Sequence, residues 1–206
     1  MSDSIEPFRI LTDLQWIEQD CWKHLSAAVD DRDCGWRLPA MATATPEGVC
    51  QRTLVLRRVC GQTRTLQFHT DVRSHKITHL QHDARVSLVF YDHARSVQLQ
   101  IRGKASLHRN DSIADALWSD SPPESLRCYL APQAPGTFTP KADTNLPTHV
   151  QGRIPDRTEV EAGKVNFVVI EVHTQQADWL HLSRDGNIRA RFVYEQGQPH
   201  GQWMTP

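Results

Sequence analysis

The most distinctive chemical feature of the sequence is a concentration of cationic side chains over residues 51–76. This segment carries six basic residues and one acidic residue, a local charge of +5 in a chain whose formal net charge is −1. A small anion such as a phosphate needs fixed cationic donors, and the planar, forked guanidinium of arginine suits it well. Arg52 and Lys76 are the candidate donors, with Ser74 and His75 beside Lys76. A solvated strand face that carries arginines by chance is the alternative interpretation of the charge pattern.

The overall composition excludes several other classes of partner. The chain has 206 residues, 23% of them charged and 39% hydrophobic, and a pI near 6.8. A general nucleic-acid or membrane-surface binder would carry a basic excess, so we expect no nucleic-acid partner and no membrane association. The apolar stretches are too short to span a bilayer, and no signal peptide is visible. The sequence therefore predicts a cytoplasmic protein.

The cysteines and histidines do not form a recognisable metal or disulfide pattern. Five cysteines without a CxxC pair favour reduced thiols over a disulfide framework or a zinc knuckle. His75, His79 and His82 share one predicted helix face, but no acidic or cysteine partner accompanies them beyond Asp83. We interpret them as a polar helix face and predict no metal site. No nucleophile elbow, phosphate-binding loop or glycine-rich dinucleotide motif is present.

Hydrophobic periodicity predicts an N-terminal helix over about residues 11–30, followed by β-strands. Three strands joined by short turns, at 41–45, 52–59 and 65–70, indicate an antiparallel meander. The remaining patterns predict helices at 74–81, from 110–111 to 118 and at 122–130, and strands at 85–91, 96–107, 166–172, 175–182, 188–195 and 202–204. About eight strands with a few helices predict a mainly β fold, a small barrel with peripheral helices.

A proline-rich segment over about residues 132–157 interrupts these elements. A loop this long inside a compact domain is usually a lid, a binding loop or disordered. An interdomain linker is the alternative, but only about 50 residues follow it. The length of the chain, judged against a typical domain of ~100–200 residues, favours a single domain over residues 1–206.

The hairpin of residues 41–48 and 51–57, the run Arg73-Ser74-His75-Lys76 and residues 97–103 occur in an order that resembles the pyridoxamine 5′-phosphate oxidase-like family, whose fold is an FMN-binding split β-barrel. Residues 41–48 and 51–57 are similar to the family's opening hairpin, which is a strand, a glycine turn and then Arg-Thr-Val-Leu-Leu-Lys. The similarity continues in order through Phe68-His69-Thr70, Arg73-Ser74-His75-Lys76, residues 97–103, Trp179 and Arg191-Phe192-Val193-Tyr194. It covers most of the chain from about residue 38 onward.

The resemblance implies FMN as the cofactor and a homodimer that holds FMN at the subunit interface. It places Arg52, His75 and Lys76 at the FMN phosphate, and the family has Arg where His75 stands. Trp179 and Arg191 resemble the pair that closes over the flavin. The complete set of implied FMN-binding residues is Arg52, Thr53, Leu54, Val55, Leu56, Arg57, His69, Thr70, His75, Lys76, Gln98, Gln133, Trp179 and Arg191.

The residues that hold the pyridoxamine phosphate substrate in the family are mostly replaced. The positions of the family's Tyr and Arg fall near Ala116 and Asp120, and an aspartate repels a phosphate. We therefore expect a divergent branch, an FMN-dependent oxidoreductase acting on another small molecule, with Arg57 and Arg189 facing the substrate. No catalytic side chain is assigned, because the cofactor carries the redox chemistry. A non-catalytic FMN carrier or sensor, or a barrel that binds a different anion, are the alternatives.

Overall fold

In the computed structural model, which describes residues 12–206, the first element is helix α1, Leu14–Ala28. Asp13 begins it as an N-cap whose carboxylate accepts hydrogen bonds from the backbone N–H groups of Gln15 and Trp16. Its apolar stripe includes Ile17 and Leu25, both buried. The predicted helix is thus confirmed, while Leu11, its predicted first apolar residue, lies outside the described residues.

The described chain forms two compact units. Unit 1 contains residues 12–68, 83–106 and 171–206, and unit 2 contains residues 69–82 and 107–170. The prediction of a single domain stays a prediction.

Nine strands form one sheet. Their bounds are β1 Ala40–Thr45, β2 Gly48–Thr53, β3 Leu56–Cys60, β4 Thr65–Asp71, β5 Arg85–Asp92, β6 Val97–His108, β7 Phe167–His181, β8 Ile188–Glu195 and β9 Gln198–Met204. The strand order is β2-β1-β5-β6-β7-β4-β3, and β8 pairs with β7 and β9. The pairs whose register is defined are antiparallel, so the mainly β prediction is confirmed.

The predicted meander is wrong. The predicted strand at 52–59 is two strands, β2 and β3, which pair with β1 and β4 and stand at opposite ends of the strand order. The β1–β2 ladder ends at Leu54: its backbone N–H donates to the carbonyl of Pro39 in the same register, but proline has no N–H with which to return the bond. Conversely, the two strands predicted at 166–172 and 175–182 are one continuous strand, β7.

Unit 2 contains the other helices. They are α2 His75–His82, α3 Ser112–Asp120, α4 Pro123–Leu126 and α5 Arg157–Glu161, with short 3₁₀ turns at Arg127–Leu130, Thr148–Val150 and Lys164–Asn166; a further 3₁₀ turn, Gly35–Arg37, lies in unit 1. Asp111 caps α3 through the N–H of Ala114, as the sequence predicts. Helix α5 was not predicted, although Asp156 and Glu159 form a capping box at its start.

Each unit has its own apolar packing. In unit 1 the inward residues of β5 and β6, among them Leu88, Phe90 and Leu99, are fully or almost fully buried. In unit 2 the rings of Trp118, Tyr129 and Phe167 pack against one another, with centroids 5.1–5.9 Å apart. Aromatic clusters of this kind contribute both buried area and specific ring geometry to stability.

Candidate functional site

The start of helix α2 in unit 2 gathers three of the polar side chains that the sequence singles out. The ammonium of Lys76 donates to the hydroxyl of Thr70 at 2.9 Å and to that of Ser74 at 2.6 Å. Thr70 is the penultimate residue of β4 and Ser74 precedes the helix, and both are buried. The first N–H groups of a helix have no intrahelical acceptor, so they add positive potential here. The arrangement is chemically suited to a phosphate-sized anion.

Arg73, the neighbouring cation, is bound to the protein itself. Its guanidinium forms an ion pair with Asp71 at 2.7 Å, and this pairing raises the pKa of Arg73. It also donates to the carbonyls of Ala131 and Pro132, where the 132–157 loop begins. Arg73 therefore anchors the loop, and Lys76 is the cation directed at the hydroxyls.

Two histidines predicted to contact FMN also lie in unit 2. His75 is exposed on the first turn of α2, and Gly136 of the loop lies against its ring. Gly136 has φ +87°, which favours glycine, and an added Cβ there would be 3.4 Å from the imidazole. His69 packs edge-on against Phe167, with ring centroids 4.9 Å apart.

Gln133 is held by its backbone. The side chain of Asn145 accepts from the N–H of Gln133 at 3.2 Å and donates to its carbonyl at 2.8 Å. These two hydrogen bonds fix the main chain of the loop at Gln133, while the Gln133 side chain stays exposed.

Arg52 is the predicted phosphate-binding residue in unit 1. Its guanidinium is half-buried on β2 and donates to the hydroxyl of Thr43 at 2.7 Å and to the carbonyl of Met41 at 3.4 Å. Within residues 12–206 it pairs with no carboxylate, and burial lowers the pKa of Arg52. A half-buried cation without a counter-charge favours an external anion beside it.

The chain leaves β2 after Thr53 and turns into β3. Thr53 is exposed, Leu54 and Val55 lie between the strands, and the side chain of Leu56 is fully buried in the core. The register of β3 against β4 shifts between Leu56 and Arg58, which makes Arg57 the extra residue of a β-bulge. Bulges re-aim a side chain and are common beside functional sites.

Gln98 faces away from the core between the buried residues Val97 and Leu99 of β6.

Two cavities of about 500 and 420 Å³ lie within unit 1. Neither of these two cavities, both formed by the described residues, is lined by a residue predicted to bind FMN or substrate.

The β7–β8 ribbon places two predicted arginines on one buried carboxylate. Arg189 binds Asp178 with both Nε and Nη2, at 2.8 and 3.0 Å, and Arg191 donates to the same carboxylate at 3.2 Å. Asp178, Arg189 and Arg191 together carry a net charge of +1. The buried Nε of Arg191 has no hydrogen-bond partner within the described chain. Asp178 raises the pKa of Arg189 through its hydrogen bonds. The buried Nε of Arg191 therefore remains available to a ligand, while Asp178 binds Arg189 along the edge formed by its Nε and Nη2.

Trp179 lies on the other face of this ribbon. It is directly opposite Ala190, whereas Arg191 is directly opposite Asp178, and successive residues of a strand point to opposite faces. Trp179 is only 2% exposed and stacks on His181, with ring centroids 6.1 Å apart. Within unit 1, Trp179 and Arg191 thus do not form a pair on one face.

The comparisons with known proteins bear on the fold and on part of the sequence. Residues 20–109 match the family model described as pyridoxamine 5′-phosphate oxidase, FMN-binding domain. Over 65 residues the chain is 42% identical to a pyridoxine/pyridoxamine 5′-phosphate oxidase of Kineococcus radiotolerans. That match covers 32% of this chain and 28% of the Kineococcus protein, so it spans less than a third of either.

Two solved structures share the architecture. A pyridoxamine 5′-phosphate oxidase-related, FMN-binding protein from Nostoc punctiforme superposes with a TM-score of 0.67 at 22% identity and covers all of both chains. PhzG from Burkholderia lata, in complex with tetrahydrophenazine-1-carboxylic acid, superposes with a TM-score of 0.63 at 18% identity, covering 91% of this chain and 90% of PhzG.

The fold is that of the FMN-binding split barrels, as predicted. The resemblance to the pyridoxamine 5′-phosphate oxidase-like family is confirmed, with the FMN-binding domain model matching residues 20–109. That range includes Arg52, Thr70 and Lys76, whereas Gln133, Trp179 and Arg191 lie beyond it. No helix within residues 12–206 is both long and apolar enough to cross a membrane.

Proposed function

We propose that the protein is an FMN-dependent oxidoreductase that acts on a small-molecule substrate other than pyridoxamine phosphate. The observation that carries this proposal is the cluster of Lys76, Thr70 and Ser74 at the start of α2, inside the part of the chain that matches the FMN-binding domain model. One ammonium and two hydroxyls supply the kind of donors that a phosphate monoester takes.

The residues present fit FMN in a second way. Arg52 offers a half-buried guanidinium without a carboxylate partner in residues 12–206, and Arg191 has a buried Nε without an acceptor in the same range. Buried donors of this kind are costly unless a ligand satisfies them. In unit 2 we propose His75 and Lys76 as contacts to the FMN phosphate. In unit 1 we propose Arg52 as an FMN-binding cation, and the remaining predicted residues stay proposals, with Leu56 and Trp179 buried in this structure.

When bound, FMN would supply hydride or electron transfer to the substrate. The protein's part is to bind and orient. Arg57, displaced by its bulge, is our candidate for a substrate-facing cation. Arg189 is a weaker candidate than the sequence indicates, because the buried Asp178 carboxylate binds its Nε and Nη2 and offsets its charge.

We further propose a homodimer with FMN at the subunit interface. The outward face of β2, β1 and β5 carries Val49, Val89 and Tyr91, which are 67%, 38% and 43% exposed, beside three alanines of β1. An exposed apolar face is typical of a protein contact. The location of the protein in the cytoplasm also stays a proposal.

The experiment compares FMN with riboflavin, which lacks the phosphate. Both are titrated into the flavin-free protein while flavin fluorescence is followed, and sedimentation of the FMN-loaded sample gives its oligomeric state. FMN should bind much more tightly than riboflavin. Lys76→Met should weaken FMN binding about 10- to 100-fold, the effect of losing a charged hydrogen bond, and leave riboflavin nearly unchanged. The exposed Lys23→Met is the charge-matched control and should change neither affinity.

Equal affinity for FMN and riboflavin, or no binding of either, would refute the phosphate site. Enzyme and carrier are then separated by exposing the FMN-loaded protein, without oxygen, to NADH, NADPH and a panel of small amines including pyridoxamine phosphate. Loss of the flavin's visible absorbance with any of them supports an oxidoreductase. Retention of the colour with all of them favours a carrier or sensor.

A further inference from the structure

Three side chains from distant parts of the sequence converge in unit 1, and none of them is among the residues proposed to bind FMN. They are His24 of α1, Cys34 just before the Gly35–Arg37 turn, and Asp92 at the end of β5. The ligand atoms Nε2, Sγ and Oδ2 all lie within 4.8 Å of one another. Nε2 is 2.7 Å from Oδ2 and 3.5 Å from Sγ. The group is the one cluster of at least three such residues found in the described chain.

The contacts are those of a shared centre rather than of a catalytic relay. In a relay the carboxylate binds one imidazole nitrogen and the nucleophile binds the other. Here both Asp92 and Cys34 approach the same nitrogen of His24. Burial also raises the pKa of the Cys34 thiol, which is the opposite of what an activated nucleophile needs.

The distances suit tetrahedral coordination of a small divalent ion. Bond lengths of ~2.3 Å to sulfur and ~2.05 Å to nitrogen at a tetrahedral angle put those two ligand atoms about 3.6 Å apart. The Sγ–Nε2 separation here is 3.5 Å. The same calculation gives about 3.3 Å between nitrogen and oxygen, so the Nε2–Oδ2 pair must open by about 0.6 Å. A small rotation of the half-buried His24 side chain is sufficient for this.

The surroundings hold each ligand in place before any ion binds. The backbone N–H of Arg95 donates to Oδ1 of Asp92 at 3.2 Å, which leaves Oδ2 directed at the cluster. The Trp36 ring packs edge-on against the His24 ring, with centroids 4.6 Å apart. Gly35 lies so close to the backbone carbonyl of Tyr91 that a Cβ on residue 35 could not fit. The segment that carries Cys34 therefore packs directly against β5. Such outer contacts are what orient metal ligands.

We propose that His24, Cys34 and Asp92 bind a divalent transition-metal ion of the zinc class. Thiolate and imidazole are poor ligands for calcium and magnesium, which take oxygen, and good ligands for zinc. Binding displaces the thiol proton to solvent. Three protein ligands leave a fourth position, and His24 and Cys34 are partly exposed, so water or a small external ligand completes the coordination.

The test uses Co²⁺ as a spectroscopic substitute for zinc in the full-length, untagged protein after treatment with a chelator. Difference spectra cancel any flavin absorbance. We expect a thiolate-to-cobalt charge-transfer band in the near ultraviolet and intense visible bands of a tetrahedral ion, both reaching a plateau at one equivalent. Zn²⁺ added afterwards should displace the cobalt and remove the bands.

Variants assign the site. Cys34→Ser should abolish the charge-transfer band, and His24→Gln should weaken Co²⁺ binding by at least ~100-fold, more than the loss of an outer contact. Cys128→Ser, which removes an exposed cysteine of unit 2, is the matched control and should keep both the charge-transfer band and the Co²⁺ affinity. Far-ultraviolet circular dichroism of the metal-free variants checks their folding, and His24→Gln provides the test if Cys34→Ser does not fold. A band that survives in Cys34→Ser, or no saturable binding near one equivalent, would overturn the proposal.

Discussion

Asp178 neutralises two arginines at once, so removing its charge has a predictable effect on stability. Asp178→Asn keeps the shape of the side chain but leaves Arg189 and Arg191 without a counter-charge. The carboxylate is buried and accepts three hydrogen bonds, at 2.8, 3.0 and 3.2 Å. Removing one partner of a buried ion pair costs about 3–5 kcal/mol.

The expected loss is smaller than that range. The side chains of Arg189 and Arg191 remain 28% and 37% exposed, so water can solvate part of their charge, and the asparagine keeps one acceptor oxygen. We therefore expect Asp178→Asn to lower the free energy of unfolding by about 2–3 kcal/mol.

The assay is urea unfolding at pH 7 followed by circular dichroism. The midpoint should fall while the dependence on urea concentration stays the same. Asp185→Asn, the same substitution in an exposed turn, is the control and should stay within ~0.5 kcal/mol of the parent. Adding Arg189→Met to Asp178→Asn should recover part of the loss, because it removes one uncompensated charge. Equal stability of Asp178→Asn and the parent would refute the reasoning.

Two further outcomes follow from local geometry. Gly103→Ala should destabilise the protein by more than ~2 kcal/mol in the same urea assay, because its Cβ would collide with the carbonyl of His173, whereas Gly61→Ala has room and should change little. The pKa of Glu159, held at about 2 by its hydrogen bonds to Arg153, should appear in an NMR titration. Because the folded pKa is below the ordinary value near 4.5, the contribution of this carboxylate to stability is present above that value and is lost as the pH falls towards 2. A normal Glu159 titration would contradict the capping-box contacts.

Local patterns predicted the elements that depend on local interactions. The spacing of Ile17 and Leu25 defines α1, and Asp111 marks the start of α3. The motif around Arg52 led to the correct fold. The missed helix α5 had a local signal as well, the Asp156 and Glu159 pair three residues apart.

The features that could not be predicted from the sequence depend on the order and the register of the strands. The division of the 52–59 segment comes where Leu54 lies opposite Pro39, which accepts a hydrogen bond but cannot donate one, and only the pairing of β2 with β1 reveals that partner. The opposite orientations of Trp179 and Arg191 follow from the pairing of β7 with β8, and an offset of one residue would reverse them. Asp178 could be found only by noting that two arginines on one strand face need a counter-charge nearby.

The 132–157 loop has a practical consequence for anyone who modifies this protein. Arg73 and Asn145 fix the chain at either side of residues 137–144, and every residue between them in that stretch is exposed. Doubling the length of a flexible loop costs only about 0.6 kcal/mol in closure entropy. An epitope or a fluorescent-labelling sequence inserted there should leave both units folded.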